Sequence, residues 1–294
     1  MILILSTHED VCATLLAEEC RARRVPVWHL HEDDVLSRLT FGWRPGDAAG
    51  SFLEVDGCRA RMSEVRGVFA RAPAPVATDP DLTEKDRRYA AFEMEAVLLG
   101  MLNALPGRVV NRPVPGRFFR PMFRLRENIE AVSAAGFALP EVLYATSVER
   151  AVVTLREWDG EAWASAVTGD PPQPVPPGEA GETWLQGQFA DATVCLTRRP
   201  HGMAVDAFVV GGEVAAGLSN GDQISPTELD QPLLASCAGL CARLGLEFAH
   251  LQLSMSADRC TLMDINAYPD PSKCEAGMKG EVVSKLANLL GGAD

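Results

Sequence analysis

The feature that most constrains the fold lies at the start of the chain. Ile2-Leu3-Ile4-Leu5 is a short apolar run, and the stretch from His8 to Arg24 then repeats apolar residues at Val11, Leu15, Leu16 and Cys20, which is helical spacing. Val25-Pro26-Val27-Trp28-His29-Leu30 follows as a second extended run. Strand, helix and strand in that order form a β-α-β unit, whose crossover makes the two strands parallel. The amino-terminal part of the chain is therefore predicted to be an α/β domain built on a parallel sheet.

The pattern continues as alternating elements. Residues 51–71 alternate as strands, with Val68-Phe69 leading into Arg71-Ala72-Pro73. Residues 82–105 form a long helix that Leu105-Pro106-Gly107 ends, and Val109-Val110-Asn111 starts a new element. A helix over 123–135 closes at Gly136, with Pro140 beyond it and a strand over 141–145. Residues 147–157 read as helix and 162–167 as extended. The stretch 169–181 is so rich in Pro and Gly that a mobile loop or lid is predicted. Trp184-Leu185-Gln186 restarts the order, and Gly211-Gly212 joins a hairpin of 204–210 with 214–216. Ser225-Pro226-Thr227-Glu228 has the form of a capping box opening a helix over 227–244. The chain closes with a strand over 251–255, a turn at 256–259, a strand through Asn266 and a helix over 279–290.

Composition narrows the function. At 294 residues and 47% hydrophobic the chain can bury a substantial core in two or three modules. Its net charge of −13 argues against nucleic acid as a partner, because phosphate neutralisation needs clustered Lys and Arg. The first apolar run has no basic region before it, and no uninterrupted apolar stretch approaches the roughly 20 residues that span a bilayer. A cytoplasmic location and no membrane are expected. The eight cysteines contain no Cys-x-x-Cys pair and read as reduced thiols. Cys237 and Cys241 share a helical face, but their leucine neighbours favour core packing over metal.

Several residues carry candidate chemistry. In Leu262-Met263-Asp264-Ile265-Asn266-Ala267-Tyr268-Pro269, the two-residue period of a strand puts Asp264 and Asn266 on one face. Two hard oxygen ligands there can hold Mg²⁺ and nucleotide phosphates; the competing reading is an edge strand with two solvated polar residues. Arg71 follows a strand end, where substrate contact and plain surface weigh equally. Arg198-Arg199 before Pro200 can bind an anionic substrate, against the commoner charged turn. Lys273 and Lys279 flank Cys274 and read as a solvent-facing loop. His8, His29 and His31, with Glu32-Asp33-Asp34, suggest metal, but without a second cluster at ligand spacing a solvated loop or helix cap is preferred.

Four motifs in this order resemble the ATP-grasp ligases, in the branch of ribosomal-protein glutamate ligases and microviridin-type peptide ligases. They are Val68-Phe69-Ala70-Arg71-Ala72-Pro73, Val110-Asn111-Arg112-Pro113, Gln186-Gly187-Gln188-Phe189 and Met263-Asp264-Ile265-Asn266. The resemblance implies an α/β (α+β) ATP-grasp fold with an N-terminal pre-ATP-grasp domain over 1–112, a central ATP-binding lid domain over 113–185 and a C-terminal domain with the metal strand over 186–294. It implies a ligase joining a carboxylate to an amine of a peptide or amino acid through an acyl phosphate, with ATP and Mg²⁺ as cofactors, in a specialised pathway. A homodimer is compatible with it. The implied roles are catalytic for Arg198 and Arg71, nucleotide-binding for Arg124, Arg126, Ser165, Gln186 and Gln188, and metal-binding for Asp264, Asn266 and Gln252.

The chain departs from that pattern where positive charge is needed. It has four lysines, Lys85, Lys273, Lys279 and Lys285, so the implied nucleotide region contains none. The first lysine expected there falls near Arg124, Leu125 or Arg126, and arginine can hold phosphate through two donors. The two arginines lie at i, i+2 and cannot share a helical face, and Arg124 is the one taken. The second expected lysine falls on Ser165, which carries no charge. An expected acid falls on Gln252 and an expected arginine on Asp206. Two alternatives therefore stand beside the ligase: a non-catalytic ATP-grasp-like protein that binds a peptide, a metabolite or a partner enzyme, and another α/β fold with ligands at the carboxyl ends of its strands.

Overall fold

The computed structural model describes residues 1–71, 81–113, 128–166, 172–189, 193–199 and 201–291. In chain order its elements are β1 (Ile2–Ser6), α1 (Val11–Ala22), β2 (Val27–His31), α2 (Asp34–Ser37), β3 (Leu39–Gly42), β4 (Phe52–Val55), β5 (Cys58–Arg61), β6 (Gly67–Ala70), α3 (Glu84–Ala104) and β7 (Arg108–Val110). There follow α4 (Ile129–Ala134), β8 (Val142–Ala145), α5 (Val148–Glu157), β9 (Ala162–Ala166), β10 (Gln173–Pro174), α6 (Glu179–Phe189), β11 (Val194–Arg198) and β12 (Met203–Val210). The last are β13 (Glu213–Asn220), β14 (Gln223–Pro226), α7 (Gln231–Leu244), β15 (Phe248–Met255), β16 (Cys260–Asn266) and α8 (Ala276–Gly291). The chain divides into two compact units, one of Met1–Phe123, Asp206–Leu251 and Ile265–Asp294, the other of Arg124–Val205 and Gln252–Asp264.

The first unit holds the predicted parallel sheet, in the order β2-β1-β6-β7. Its register sets Ile2 beside Val27 and Gly67, so the strands end together at their carboxyl edge. Helix α1 buries Cys12, Ala13, Leu16, Ala17 and Cys20, one stripe of helical spacing, and Asp10 caps it by accepting from the Ala13 N–H at 2.9 Å. That stripe joins a core with Ile2, Ile4, Phe69, Phe208, Phe248 and the buried face of α8. Arg23 fastens α1 to α8 with bonds to Asn288 Oδ1 and Ser284 Oγ. On the sheet's other side Leu3, Leu5, Val68 and Val109 pack with Leu98, Met101 and Leu102 of α3. Gly67 is required where α8 ends, since a Cβ there would lie 2.4 Å from the Leu290 carbonyl oxygen. A small antiparallel sheet, β3-β4-β5, completes this layer.

The second unit contains the sheet β10-β9-β11-β8, antiparallel throughout, under the apolar faces of α5 and α6. The described part of the Pro-rich stretch, 172–181, is more ordered than predicted. Gln173-Pro174 pairs with Ala164 and Trp163, and α6 begins at Glu179. A two-residue edge strand tolerates proline because its outer side needs no ladder donor. Among the strands of the remaining sheet the order is β14-β13-β12-β15-β16. The helix expected from Thr227 starts instead at Gln231, because Ser225-Pro226 belongs to β14 and Asp230 is the cap, accepting from the Leu233 N–H at 2.9 Å. Pro232 sits in the first turn, where its missing N–H costs nothing. The helix ends at Gly245 in the left-handed region, φ +66°.

Candidate functional site

Strand β16 carries both candidate metal ligands, each half-buried. Asn266 ends the strand by folding back: its Oδ1 accepts from the Tyr268 N–H at 2.8 Å, forming an Asx turn. Two side chains from the parallel sheet hold that turn. Asn111, just beyond β7, donates through Nδ2 to the carbonyls of Ala267 at 2.9 Å and Phe248 at 2.7 Å, while its Oδ1 accepts from the N–H groups of Glu247 and Phe248, both at 2.9 Å. Every donor of its amide is thus used on backbone. Arg71, just beyond β6, donates from Nη1 to the Pro269 carbonyl at 3.0 Å.

Arg71 is otherwise engaged. Its Nε reaches Asp10 Oδ2 at 2.6 Å and its Nη2 reaches Asp10 Oδ1 at 3.2 Å, a bidentate pair whose side chains are only 9% and 7% exposed. The guanidinium also lies 5.4 Å from the Phe69 ring centre and 5.5 Å from that of Tyr268. Burial pushes the Tyr268 hydroxyl above its usual range, with Arg71 pulling it partly back. The guanidinium fork of Arg71 is thus engaged with Asp10 and with the turn after Asn266.

Asp206 of β12 and His250 of β15 form a pair that sequence reasoning only half saw. His250 Nε2 and Asp206 Oδ1 are 2.6 Å apart, with the side chains 12% and 6% exposed. The His250 ring stacks on Phe208, centres 4.5 Å apart and planes 5° from parallel. The signal was available in two apolar runs, Val205-Asp206-Ala207-Phe208 and Phe248-Ala249-His250-Leu251, each interrupted by one ionisable residue. Inside adjacent buried strands such residues need each other.

The other candidates belong to the second unit. Ser165 lies in β9 opposite Cys195, and Arg198 closes β11 opposite Ala162, so the two sit on neighbouring strands three rungs apart. Arg198 Nη1 donates to Glu141 Oε1 at 3.0 Å at an exposed site. Gln186 and Gln188 are exposed residues within α6. Gln252 is exposed on β15. The turn after it bonds the Ser256 N–H to the Arg259 carbonyl at 2.9 Å. Arg124 and Arg126 lie outside the described residues.

The donor set fits Mg²⁺: one carboxylate and one carboxamide of a single strand face supply hard oxygens, and Mg²⁺ ordinarily completes its shell with water and phosphate. The amide oxygen of Asn266 keeps a second lone pair beyond its bond to Tyr268.

No protein-family model and no curated protein matches the chain. Solved structures do match it from end to end. The macrocyclase MdnC of Microcystis aeruginosa, bound with its precursor peptide MdnA, superposes with a TM-score of 0.76 at 14% identity over 99% of each chain. The ATP-grasp ligase PsnB, complexed with a minimal precursor, Mg and ADP, gives 0.72 at 16% identity over 99% of this chain and 98% of its own. A ligase associated with ribosomally made peptides from Chryseobacterium gregarium, in complex with ADP and a leader and core peptide, gives 0.71 at 17% identity over 98% and 96%. With its parallel amino-terminal sheet, its antiparallel middle sheet and the strand of Asp264 and Asn266 near its end, the chain has the ATP-grasp fold.

Proposed function

We propose that the protein is an ATP-dependent ligase that joins a carboxylate to an amine on a peptide, modifying a precursor in a specialised pathway in the cytoplasm. The observation that carries this reading is the end-to-end likeness to ATP-grasp enzymes solved with precursor peptides and nucleotide. Asp264, Asn266 and Gln252 would hold Mg²⁺, and Arg124, Arg126, Ser165, Gln186 and Gln188 are the proposed nucleotide contacts. Bound Mg-ATP would supply the phosphoryl group that turns the carboxylate into an acyl phosphate. Arg198 is assigned to orient the anionic substrate. Arg71 and Asn111 keep the end of β16 in place. Residues 1–112, 113–185 and 186–294 are the proposed working divisions.

A second reading, nucleotide or peptide binding without ligation, is favoured by one observation. Asp206, at the position where the resemblance places an arginine, is an acid tied to His250, and no lysine lies between residues 86 and 272. The deciding experiment measures ADP release from ATP and Mg²⁺ with candidate precursor peptides, alongside nucleotide binding by calorimetry. The ligase reading expects peptide-dependent ADP release that Asp264→Ala abolishes. Nucleotide binding without ADP release selects the second reading, and absence of both defeats the two together.

A further inference from the structure

A group of side chains that the proposed reaction does not use gathers at the carboxyl edge of β1 and β2. The parallel register sets Ser6 beside His31, so the loop after β1, with His8, meets the end of β2, with His31 and Glu32. Among the described residues, one donor atom from each of His8, His31 and Glu32 lies within 4.8 Å of the other two. The His8 ring stacks on His31 with centres 4.1 Å apart, and the His29 ring centre lies 4.5 Å from that of His31 at a tilt of 49°.

Two further observations single this cluster out. His31 Nδ1 and Glu32 Oε2 are buried and make no hydrogen bond. Buried polar atoms are nearly always paired, so two orphans in one triplet of metal-type ligands call for an occupant. The surroundings also have the form of an outer ligand shell. His8 Nε2 is 2.9 Å from Asp33 Oδ1, a carboxylate–imidazole contact that fixes the tautomer and leaves Nδ1 with its lone pair. His29 Nε2 meets Ser6 Oγ at 2.8 Å, and Asp34 accepts from the His31 backbone N–H at 3.0 Å. A helix-cap role leaves the orphaned atoms unexplained, since Asp33 stands at the cap of α2 and makes no side-chain cap bond there.

We propose that His8, His31 and Glu32 bind a divalent first-row transition metal of the zinc type. Two imidazoles and one carboxylate make a three-ligand set whose fourth position stays open to water. Metal–ligand bonds of about 2.0–2.2 Å bring donor atoms to roughly 3.3–3.5 Å from one another. The closing movement falls to His8, whose side chain is 58% exposed and is held by Asp33, itself 46% exposed. Mg²⁺, which prefers all-oxygen shells, does not compete.

The test uses the full-length chain stripped with a chelator, titrated with Zn²⁺ by calorimetry and with Co²⁺ by visible absorption, in millimolar Mg²⁺. The expected result is one equivalent bound, a cobalt spectrum without thiolate charge-transfer absorption, and affinity at least tenfold weaker in Glu32→Gln and in His8→Ala. His8→Ala alters an exposed residue, so its folding is secure, and circular dichroism checks both variants. Failure of the wild-type chain to bind either metal, or unchanged affinity in the two variants, overturns the proposal. Neither outcome bears on ADP release, so the site and the ligase reading stand or fall separately.

Discussion

Replacing Arg71 with alanine is expected to destabilise the first unit strongly. The substitution removes both bonds to Asp10 and the bond to the Pro269 carbonyl, and it strands a carboxylate that is only 7% exposed. Removing one partner of a buried pair costs about 3–5 kcal/mol, mostly from the charge left behind. Asp10 also caps α1, so the loss reaches that helix first. Arg71→Lys keeps the charge but loses the fork, and roughly 1–2 kcal/mol is expected for it. A chain of two compact units does not promise a single unfolding transition, so hydrogen exchange resolved by segment is the suitable assay. Amides of α1 and of residues 67–71 in Arg71→Ala should lose protection by a factor on the order of 10²–10⁴. Asp10→Asn combined with Arg71→Ala should be far less than additive, because the two share one interaction. A loss below tenfold, or additivity in the double variant, would refute the positioning role and leave substrate contact as the reading for Arg71.

Asn111→Ala deletes four bonds to backbone around a nearly inaccessible Phe248, and at about 1 kcal/mol each the expected loss is roughly 3–4 kcal/mol. A thermal midpoint within a degree of the parent would contradict it. Burial pushes the thiols of Cys12 and Cys241 up to about 12, so at pH 8 about one in 10⁴ is thiolate. Alkylation followed by mass spectrometry should label exposed Cys58 first, and labelling of Cys12 at the same rate would contradict the fold around α1.

Much of the fold was legible because local chemistry carried it. The alternation of apolar strand and amphipathic helix over residues 2–30 announced a parallel sheet, and Gly211-Gly212 marked a hairpin by the positive φ that both residues adopt. Where two local signals overlapped, the reading slipped. Ser225-Pro226-Thr227-Glu228 has the letters of a capping box, but the pairing of β14 with β13 claims Ser225 and Pro226, which leaves Asp230 to start the helix. The Pro-rich segment misled because an edge strand does not ask proline for a donor. In the site, the spacing of Asp264 and Asn266 was readable from strand period alone. The partners of Arg71, Asn111 and Asp206 were not, since each is fixed by strand order and not by neighbours in the chain. A lone acid inside an apolar strand can announce that it needs a partner, but only the sheet says which one.

The turn after Asn266 has a consequence for how the chain is assembled. Its two carbonyls, at Ala267 and Pro269, are met by side chains 156 and 198 positions earlier in sequence. Such separations make these contacts slow to form. During synthesis Arg71 and Asn111 emerge long before their acceptors exist, and the turn after β16 meets these two donors only once the amino-terminal sheet is in place. A chain cut before Ala267 would lose more than its last helix: it would leave two donors of the first sheet unanswered. The carboxyl-terminal strand is therefore a latch that closes last, on a frame that was waiting for it.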